Sequence, residues 1–270
     1  MQERGPGLPG IPDGGKICDD PGGAGTRKTE NCLICGEPLL YAETSGQFTC
    51  TLCGNPDHGH IRCPQGHFIC EACHNRDALM GIEDILFATR SKDPFEIAEL
   101  AMNAPGLPML GCQHAFVAGG SLMAALRNEG SRGVGDLQIR EVLTRTRTQA
   151  HGGYCGLTGV CGIAPAVGAV FSVLTGATCG TDEPQHITME AVIRVSRAIA
   201  ALPGPSCCKA YVRAALAAAV DYLRERLDIQ LPWGERAVCT FPERHPHGCP
   251  GESCPSFGPV NPDDRQEGHS

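Results

Sequence analysis

The chain has 270 residues, a formal net charge of −8 at pH 7 and 41% apolar residues. This length allows one large domain or two smaller ones, and the apolar fraction suffices for a buried core. The negative charge excludes a broad basic surface, so no nucleic-acid partner is expected. The dominant feature of the composition is its 17 cysteines and 10 histidines.

Residues 1–30 are polar and rich in glycine and proline, which predicts a disordered leader. They contain no apolar signal core, and no later segment reaches the ~18 apolar residues that a membrane span needs. We therefore expect a cytoplasmic protein with no membrane association. In that compartment thiols stay reduced, and paired cysteines more often bind metal than form disulfides.

Residues 31–75 are predicted to form a zinc-ribbon-like module with two metal sites. Its first two motifs are CxxCG turns, CLICGE with Cys32 and Cys35 and CTLCGN with Cys50 and Cys53. Each turn places two sulfur atoms side by side, and two facing turns supply a tetrahedral set that suits zinc. The spacing predicts that these four cysteines hold one zinc ion.

A second set of ligands follows at once in CPQGHFICEACH. It comprises Cys63, His67, Cys70 and Cys73, with His58, His60 and His74 as substitutes. The string resembles the central part of a RING finger without its closing cysteine pair, and no ubiquitin-ligase function is expected. A second structural zinc is predicted, because a closed site of this kind folds residues that lack a core and does no chemistry itself.

Residues 82–230 are predicted to be a helical, cysteine-rich domain, so the protein is expected to be mainly α. The pattern of apolar residues predicts helices near 82–90, 94–103, 113–128, 135–147, 163–176, 187–202 and 206–228. Asp93 is predicted to cap the second helix with Pro94 at its first position. Thr188 is predicted to cap the next-to-last helix.

The stretch from His151 to Gly180 places Cys155 and Cys161 among glycines, just before an apolar helix that starts near Ile163. The free N–H groups of that helix are expected to face Cys161, to lower the pKa of its thiol and to favour a thiolate. Cys161 is therefore a candidate metal ligand or nucleophile.

Other thiols of this domain are also predicted at helix ends, where several helices can converge on one site. The predicted cofactor-binding cluster is drawn from Cys155, Cys161, Cys207 and Cys208, with Cys112 or Cys179 in support. The alternative is that these cysteines are small buried apolar residues. His151 is a candidate general base, or a histidine that merely caps a helix or meets solvent.

Residues 231–270 form a tail rich in cysteine, histidine, proline and glycine. Cys249 and Cys254 are predicted metal ligands there, with His245, His247 and Cys239 nearby. The tail either forms a third metal site or lends ligands to the helical domain.

Two resemblances bear on function. GVCGIAPAV, around Cys161, resembles a short motif of the iron–sulfur-dependent bacterial serine dehydratases, which implies a [4Fe–4S] cluster whose free iron acts as a Lewis acid. The longer pattern over residues 32–256 resembles an uncharacterised cysteine-rich family of anaerobic bacteria and archaea. Some members of that family look fused to, or are described as, SAM-dependent methyltransferases, which implies such a partner.

Two functions follow as expectations. The protein is either an iron–sulfur enzyme of lyase or dehydratase type, or a non-catalytic metal or cluster carrier. In the first case Cys155, Cys161 and one or both of Cys207 and Cys208 hold the cluster, and one iron faces a pocket. In the second the cluster is exposed, and the zinc module docks a methyltransferase or another metalloenzyme.

Overall fold

The computed structural model describes residues 31–131, 133–234 and 237–258. The predicted leader and part of the predicted tail lie outside these ranges. The elements are β1 (Leu40–Thr49), β2 (Pro56–Arg62), α1 (Glu71–Ala88), α2 (Pro94–Met102), α3 (Gln113–Glu129), α4 (Asp136–Gln149), α5 (Tyr154–Thr158), α6 (Ile163–Thr175), α7 (Asp182–Ala200) and α8 (Cys208–Leu227), followed by 3₁₀ turns at Pro242–Arg244 and Gly251–Ser253.

The predicted fold class is confirmed: a helical domain follows a small N-terminal module that contains the two described strands. β1 and β2 pair antiparallel, with Gln47 opposite His58 and a bulge near the start of β1. Phe48 and Phe68 pack with their ring centroids 5.1 Å apart and form most of the module's small apolar cluster. A core of this size cannot fold forty residues alone, which agrees with a module stabilised by metal.

Helix α3 lies at the centre of the helical domain. Every residue from Gln113 to Leu126 is buried, and the helix packs against α1, α2, α4, α6 and α8. Small residues in the sequence HAFVAGGSLMAAL allow these neighbours to approach closely. α6 is the second central helix and packs on α3, α4, α7 and α8. Together the two helices position the ends of the surrounding helices on the surface of the bundle.

The predicted helices are present, with two corrections to their starts. α1 begins at Glu71 rather than at residue 82, so one continuous helix runs from the cysteine-rich module into the core, where Ile82 and Leu86 are fully buried. α7 begins at Asp182, and Thr188 lies inside it with its hydroxyl donating to the carbonyl oxygen of Pro184. The prediction that Thr188 caps this helix is therefore wrong.

The predicted start of α2 is confirmed. The Asp93 carboxylate accepts hydrogen bonds from the N–H groups of Phe95 and Glu96, and Pro94 occupies the first helical position. The short helix α5 was not predicted, because five residues are too few to show a periodic pattern. None of the helices in the described part of the chain combines the length and apolar character that a membrane span requires.

Two helix glycines give opposite predictions for stability. A Cβ atom at Gly119 of α3 would lie 3.0 Å from the carbonyl oxygen of Ala166 in α6, whereas one at Gly81 of α1 would have its nearest neighbour, in Ala104, at 3.9 Å. We expect Gly119→Ala to lower the free energy of unfolding by about 1–3 kcal/mol through overpacking. Gly81→Ala should raise it by roughly 0.5–1 kcal/mol, because alanine loses less backbone entropy. Urea denaturation measures both, and shifts of the same sign would contradict the close contact of α3 with α6.

Candidate metal centres

Three local turns of the N-terminal module end alike, two of them as five-residue turns and the third as a four-residue turn. The glycine that ends each turn, Gly36, Gly54 or Gly66, has a positive φ and donates its N–H to the carbonyl oxygen of the turn's first cysteine. Glycine adopts this left-handed conformation without strain. In two of the turns the N–H two residues on also donates to the cysteine sulfur, from Ile34 to Cys32 at 3.4 Å and from Gln65 to Cys63 at 3.3 Å. These turns present their sulfur atoms for metal binding.

The first cluster consists of Cys32, Cys35, Cys63 and His67. Their ligand atoms all lie within 4.8 Å of one another. Cys35 Sγ is 3.4 Å from Cys63 Sγ, and Cys32 Sγ is 3.8 Å from His67 Nδ1. Tetrahedral bonds of ~2.3 Å to a zinc ion place sulfur ligands about 3.8 Å apart. The cluster therefore has the dimensions of a mononuclear metal site.

The second cluster consists of Cys50, Cys53, Cys70 and Cys73, and it meets the same distance criterion. Cys53 Sγ lies 3.7 Å from Cys70 Sγ. The N–H of Cys70 donates to Cys50 Sγ at 3.3 Å and lowers the pKa of that thiol to about 6. The side chains of Cys53 and Cys70 raise the pKa of the neighbouring Cys73 to about 12. A divalent cation would supply the charge that allows all four thiols to ionise.

The eight predicted ligands of the module are thus brought together, but in a different grouping from the predicted one. The four pairs alternate: the first pair, Cys32 and Cys35, joins the third, and the second pair joins the fourth. The prediction that Cys32, Cys35, Cys50 and Cys53 form one site, and the next four residues another, is wrong. Cys70 and Cys73 serve as the closing pair of a cross-braced module. The hairpin of β1 and β2 causes this grouping, because it separates the first CxxC turn from the second.

The second cluster is fixed to the helical domain. Cys70 precedes the first residue of α1, and Cys73 lies in its first turn. Glu71, between them, accepts the N–H of Gly152 at 2.9 Å and the thiol of Cys112 at 2.7 Å. Sequence reasoning missed Glu71, because an acidic residue in the first turn of a helix is ordinary. The Glu71 carboxylate thus links the second cysteine cluster to the loop that precedes α5, the short helix that contains Cys155.

The adjacent residues Cys207 and Cys208, at the start of α8, face different neighbours. Cys208 Sγ accepts the N–H of Gly111 at 3.4 Å. Burial, followed by charge on Cys161 and Cys155, raises the pKa of Cys208 to about 12. We call Cys155, Cys161 and Cys208 the helical thiol group, and charge on Cys207 acts on Cys208 as well.

Within this group Cys161 behaves differently from expectation. It lies just before α6, where the N–H of Ile163 favours its thiolate, as predicted. Burial is the larger effect, however, and the pKa of Cys161 is raised. The prediction of a lowered pKa is wrong because it considered the helix end and not the packing of Cys161 against the core.

Cys207 faces the tail instead. Burial raises the pKa of its thiol, and charge on Cys239 and Cys254 raises it further. Both predicted tail ligands, Cys249 and Cys254, line a cavity together with Cys207 and Cys239. We call Cys207, Cys239, Cys249 and Cys254 the tail thiol group. Cys207 therefore lines the tail cavity and Cys208 does not, while the four-cysteine cluster of the helical domain stays a prediction.

The remaining candidates lie outside both thiol groups. Cys112 donates its thiol proton to Glu71, and burial together with the Glu71 charge raises its pKa. These contacts describe a protonated thiol, and a role of Cys112 as a ligand stays a prediction. His151 is exposed on the loop before α5, with its ring 5.6 Å from that of Tyr154. Its catalytic role stays a prediction.

Fold and site together define a mainly helical, cysteine-rich protein with two cysteine and cysteine–histidine clusters that offer metal sites. Every cysteine in the described part of the chain is a free thiol. The chain belongs to a family of unknown function (DUF5714), whose model matches residues 82–257. That match includes both thiol groups and leaves out the cross-braced module. No curated protein and no solved structure matches the chain significantly.

Proposed function

We propose that this protein is a metal carrier of the reducing cytoplasm. The two clusters of the cross-braced module hold structural zinc, and the helical thiol group carries an iron–sulfur cluster that it presents at the protein surface. Thiolates are the usual ligands of such clusters. Three thiolates on a [4Fe–4S] cluster leave one iron without a protein ligand, and that iron is open to a partner.

The exposure of Cys155 is the observation that supports this proposal. Cys161 and Cys208 are partly buried, whereas Cys155 lies on the exposed segment that contains α5. Around it, Tyr154, Leu157 and Val160 are 51%, 64% and 56% exposed. Apolar side chains grouped on a surface favour a protein contact. A cluster held here would face a docked partner rather than an enclosed pocket.

The partner is proposed to be a metalloenzyme or a SAM-dependent methyltransferase, in line with the resemblance of the longer cysteine pattern. Delivery of the cluster would be a ligand exchange, in which a thiolate of the partner replaces each of Cys155, Cys161 and Cys208 and no electron is transferred. The link from Glu71 to Gly152 supports a role for the cross-braced module beside this surface, because the module and the α5 loop are then held together.

A lyase or dehydratase is the second candidate, and the position of His151 favours it. This exposed side chain lies on the loop just before α5, the short helix that contains Cys155. Its imidazole would act as general base on a substrate whose hydroxyl is bound to the open iron. Release of ammonia from a hydroxy amino acid such as serine would distinguish this enzyme from a carrier.

Anaerobic purification followed by metal and acid-labile sulfide analysis tests the proposal. Cys161→Ser should remove the iron of the helical thiol group and leave zinc in place, whereas Cys179→Ser, which changes an exposed thiol outside both groups, should change neither. The native protein, but not Cys155→Ser, should transfer its cluster to a metal-free acceptor ferredoxin. Undiminished iron in Cys161→Ser, or loss of zinc together with the iron, would contradict the proposal.

A further inference from the structure

We infer that the tail thiol group is a second iron–sulfur site, in which Cys207, Cys239, Cys249 and Cys254 ligate a [4Fe–4S] cluster at the start of α8. This site is independent of the proposed function, which uses the helical thiol group. Four cysteine thiolates are the complete protein ligand set of such a cluster.

The tail folds back on α8 and brings these cysteines together from three separate segments. The N–H of Cys239 donates to the carbonyl oxygen of Ser256 at 2.8 Å, which holds the two ends of the tail side by side. The buried ring of His245 contacts the carbonyl oxygen of Ser206 at 3.2 Å, just before Cys207. The four thiols therefore line one cavity because specific contacts place the tail there.

The spacing of the tail thiols favours a cluster over a single ion. The wall of their cavity includes Leu202, Phe241 and Phe257, and the cavity is partly open to solvent. In the cross-braced module the ligand atoms lie within 4.8 Å of one another; among the described residues, the tail thiols are not grouped so closely. A mononuclear ion needs sulfurs about 3.8 Å apart. In a cubane each thiolate binds a different iron, so the sulfurs surround a wider space.

Backbone N–H groups point at the sulfurs of this group as they do in the module. Phe241 N–H donates to Cys239 Sγ at 3.5 Å, and Gly251 N–H donates to Cys249 Sγ at 3.4 Å. Both donors lie two residues after the cysteine, the same spacing that occurs at Cys32 and Cys63. Such hydrogen bonds stabilise thiolates and tune the potential of a bound cluster.

Cationic side chains surround the cavity and offset the charge of four thiolates. Lys209 is buried, donates to the carbonyl oxygen of Met102 at 2.8 Å and lies 4.0 Å from the centroid of the Phe241 ring. Arg213 lines the cavity, and Arg244 stacks on the same Phe241 ring at 5.3 Å. Arg213 is already paired with Glu99, and Arg244 is exposed, so Lys209 is the buried cation that a thiolate-bound cluster would stabilise. A buried cation is costly unless an anionic group lies beside it.

Anaerobic reconstitution of the full chain with ferrous iron, ferric iron and sulfide tests this inference. Equal amounts of the two iron ions supply the mixed-valence [4Fe–4S]²⁺ core without a further oxidant, and the thiols give their protons to the buffer. In the Cys155→Ser/Cys161→Ser variant, with zinc retained in the cross-braced module, the tail thiol group is the intact one of the two thiol groups. This variant should bind ~4 irons per chain and show the Mössbauer spectrum of a cluster with four thiolate ligands.

Adding Cys239→Ser and Cys254→Ser to that variant should abolish the cluster, and Cys179→Ser should leave it unchanged. A Cys155→Ser/Cys161→Ser protein that takes one zinc ion and no iron and sulfide would overturn the inference, as would full cluster binding after the tail substitutions. Cys239→Ser/Cys254→Ser alone tests the proposed function separately: if it holds no cluster while the first variant does, the helical thiol group has failed and the tail site stands.

Discussion

Replacing Cys35 and Cys63 together by serine should remove one zinc ion from the protein, whereas replacing Cys35 and Cys53 should remove two. In the first variant both lost thiols belong to one cluster, and in the second each belongs to a different cluster. A closed structural zinc site depends on its complete set of four ligands. Each site that lacks one or two of them should therefore lose its ion. Zinc is measured per chain by mass spectrometry of the purified variants, relative to the unmodified protein.

The second cluster should survive loss of the first because α1 holds half of it. Cys70 and Cys73 lie at the start of a helix whose residues Ile82 and Leu86 are fully buried in the core. The variant Cys53→Ser/Cys73→Ser is the matched counterpart and should also lose one ion. If the Cys35→Ser/Cys53→Ser protein loses one ion and the Cys35→Ser/Cys63→Ser protein two, the ligands pair in consecutive order and the cross-braced arrangement is incorrect.

Glu99→Ala should lower the free energy of unfolding by about 3–5 kcal/mol. The guanidinium of Arg213 in α8 donates two hydrogen bonds to the Glu99 carboxylate of α2, at 2.6 and 2.8 Å. The Arg213 side chain is only 9% exposed. Removing the carboxylate leaves this buried charge without its hydrogen-bonded anion. Chemical denaturation of the metal-loaded protein measures the effect.

Two comparisons make this prediction specific. Glu129→Ala removes the partner of Lys92 in a pair whose side chains are 36% and 51% exposed, and it should change stability by less than about 1 kcal/mol. Glu99→Ala/Arg213→Met should regain most of the stability that Glu99→Ala loses, since no unpaired charge then remains. Equal effects of Glu99→Ala and Glu129→Ala would show that the Arg213 pair is not a buried one.

Local features of this protein were predictable because they depend on a few consecutive residues. Asp93 and Pro94 start α2 as expected, since a side-chain cap and a fixed φ act within one turn. The long apolar-periodic segments became helices because their apolar residues recur along one helix face. Errors arose where a helix lacked such a pattern at its start: the first turns of α1 contain Cys70–Cys73 and polar residues, so the helix seemed to begin only at residue 82.

The sequence by itself determined which residues of the module are candidate metal ligands, because a CxxC turn with its glycine presents two sulfur atoms whatever surrounds it. Only the tertiary structure decided which ligands share a site. The β1–β2 hairpin decides that the ligand pairs of the module alternate between two clusters. The fold of the tail onto α8 places Cys207, but not the adjacent Cys208, at the tail cavity. Such groupings depend on contacts between segments far apart in the chain, and spacing along the sequence does not encode those distances.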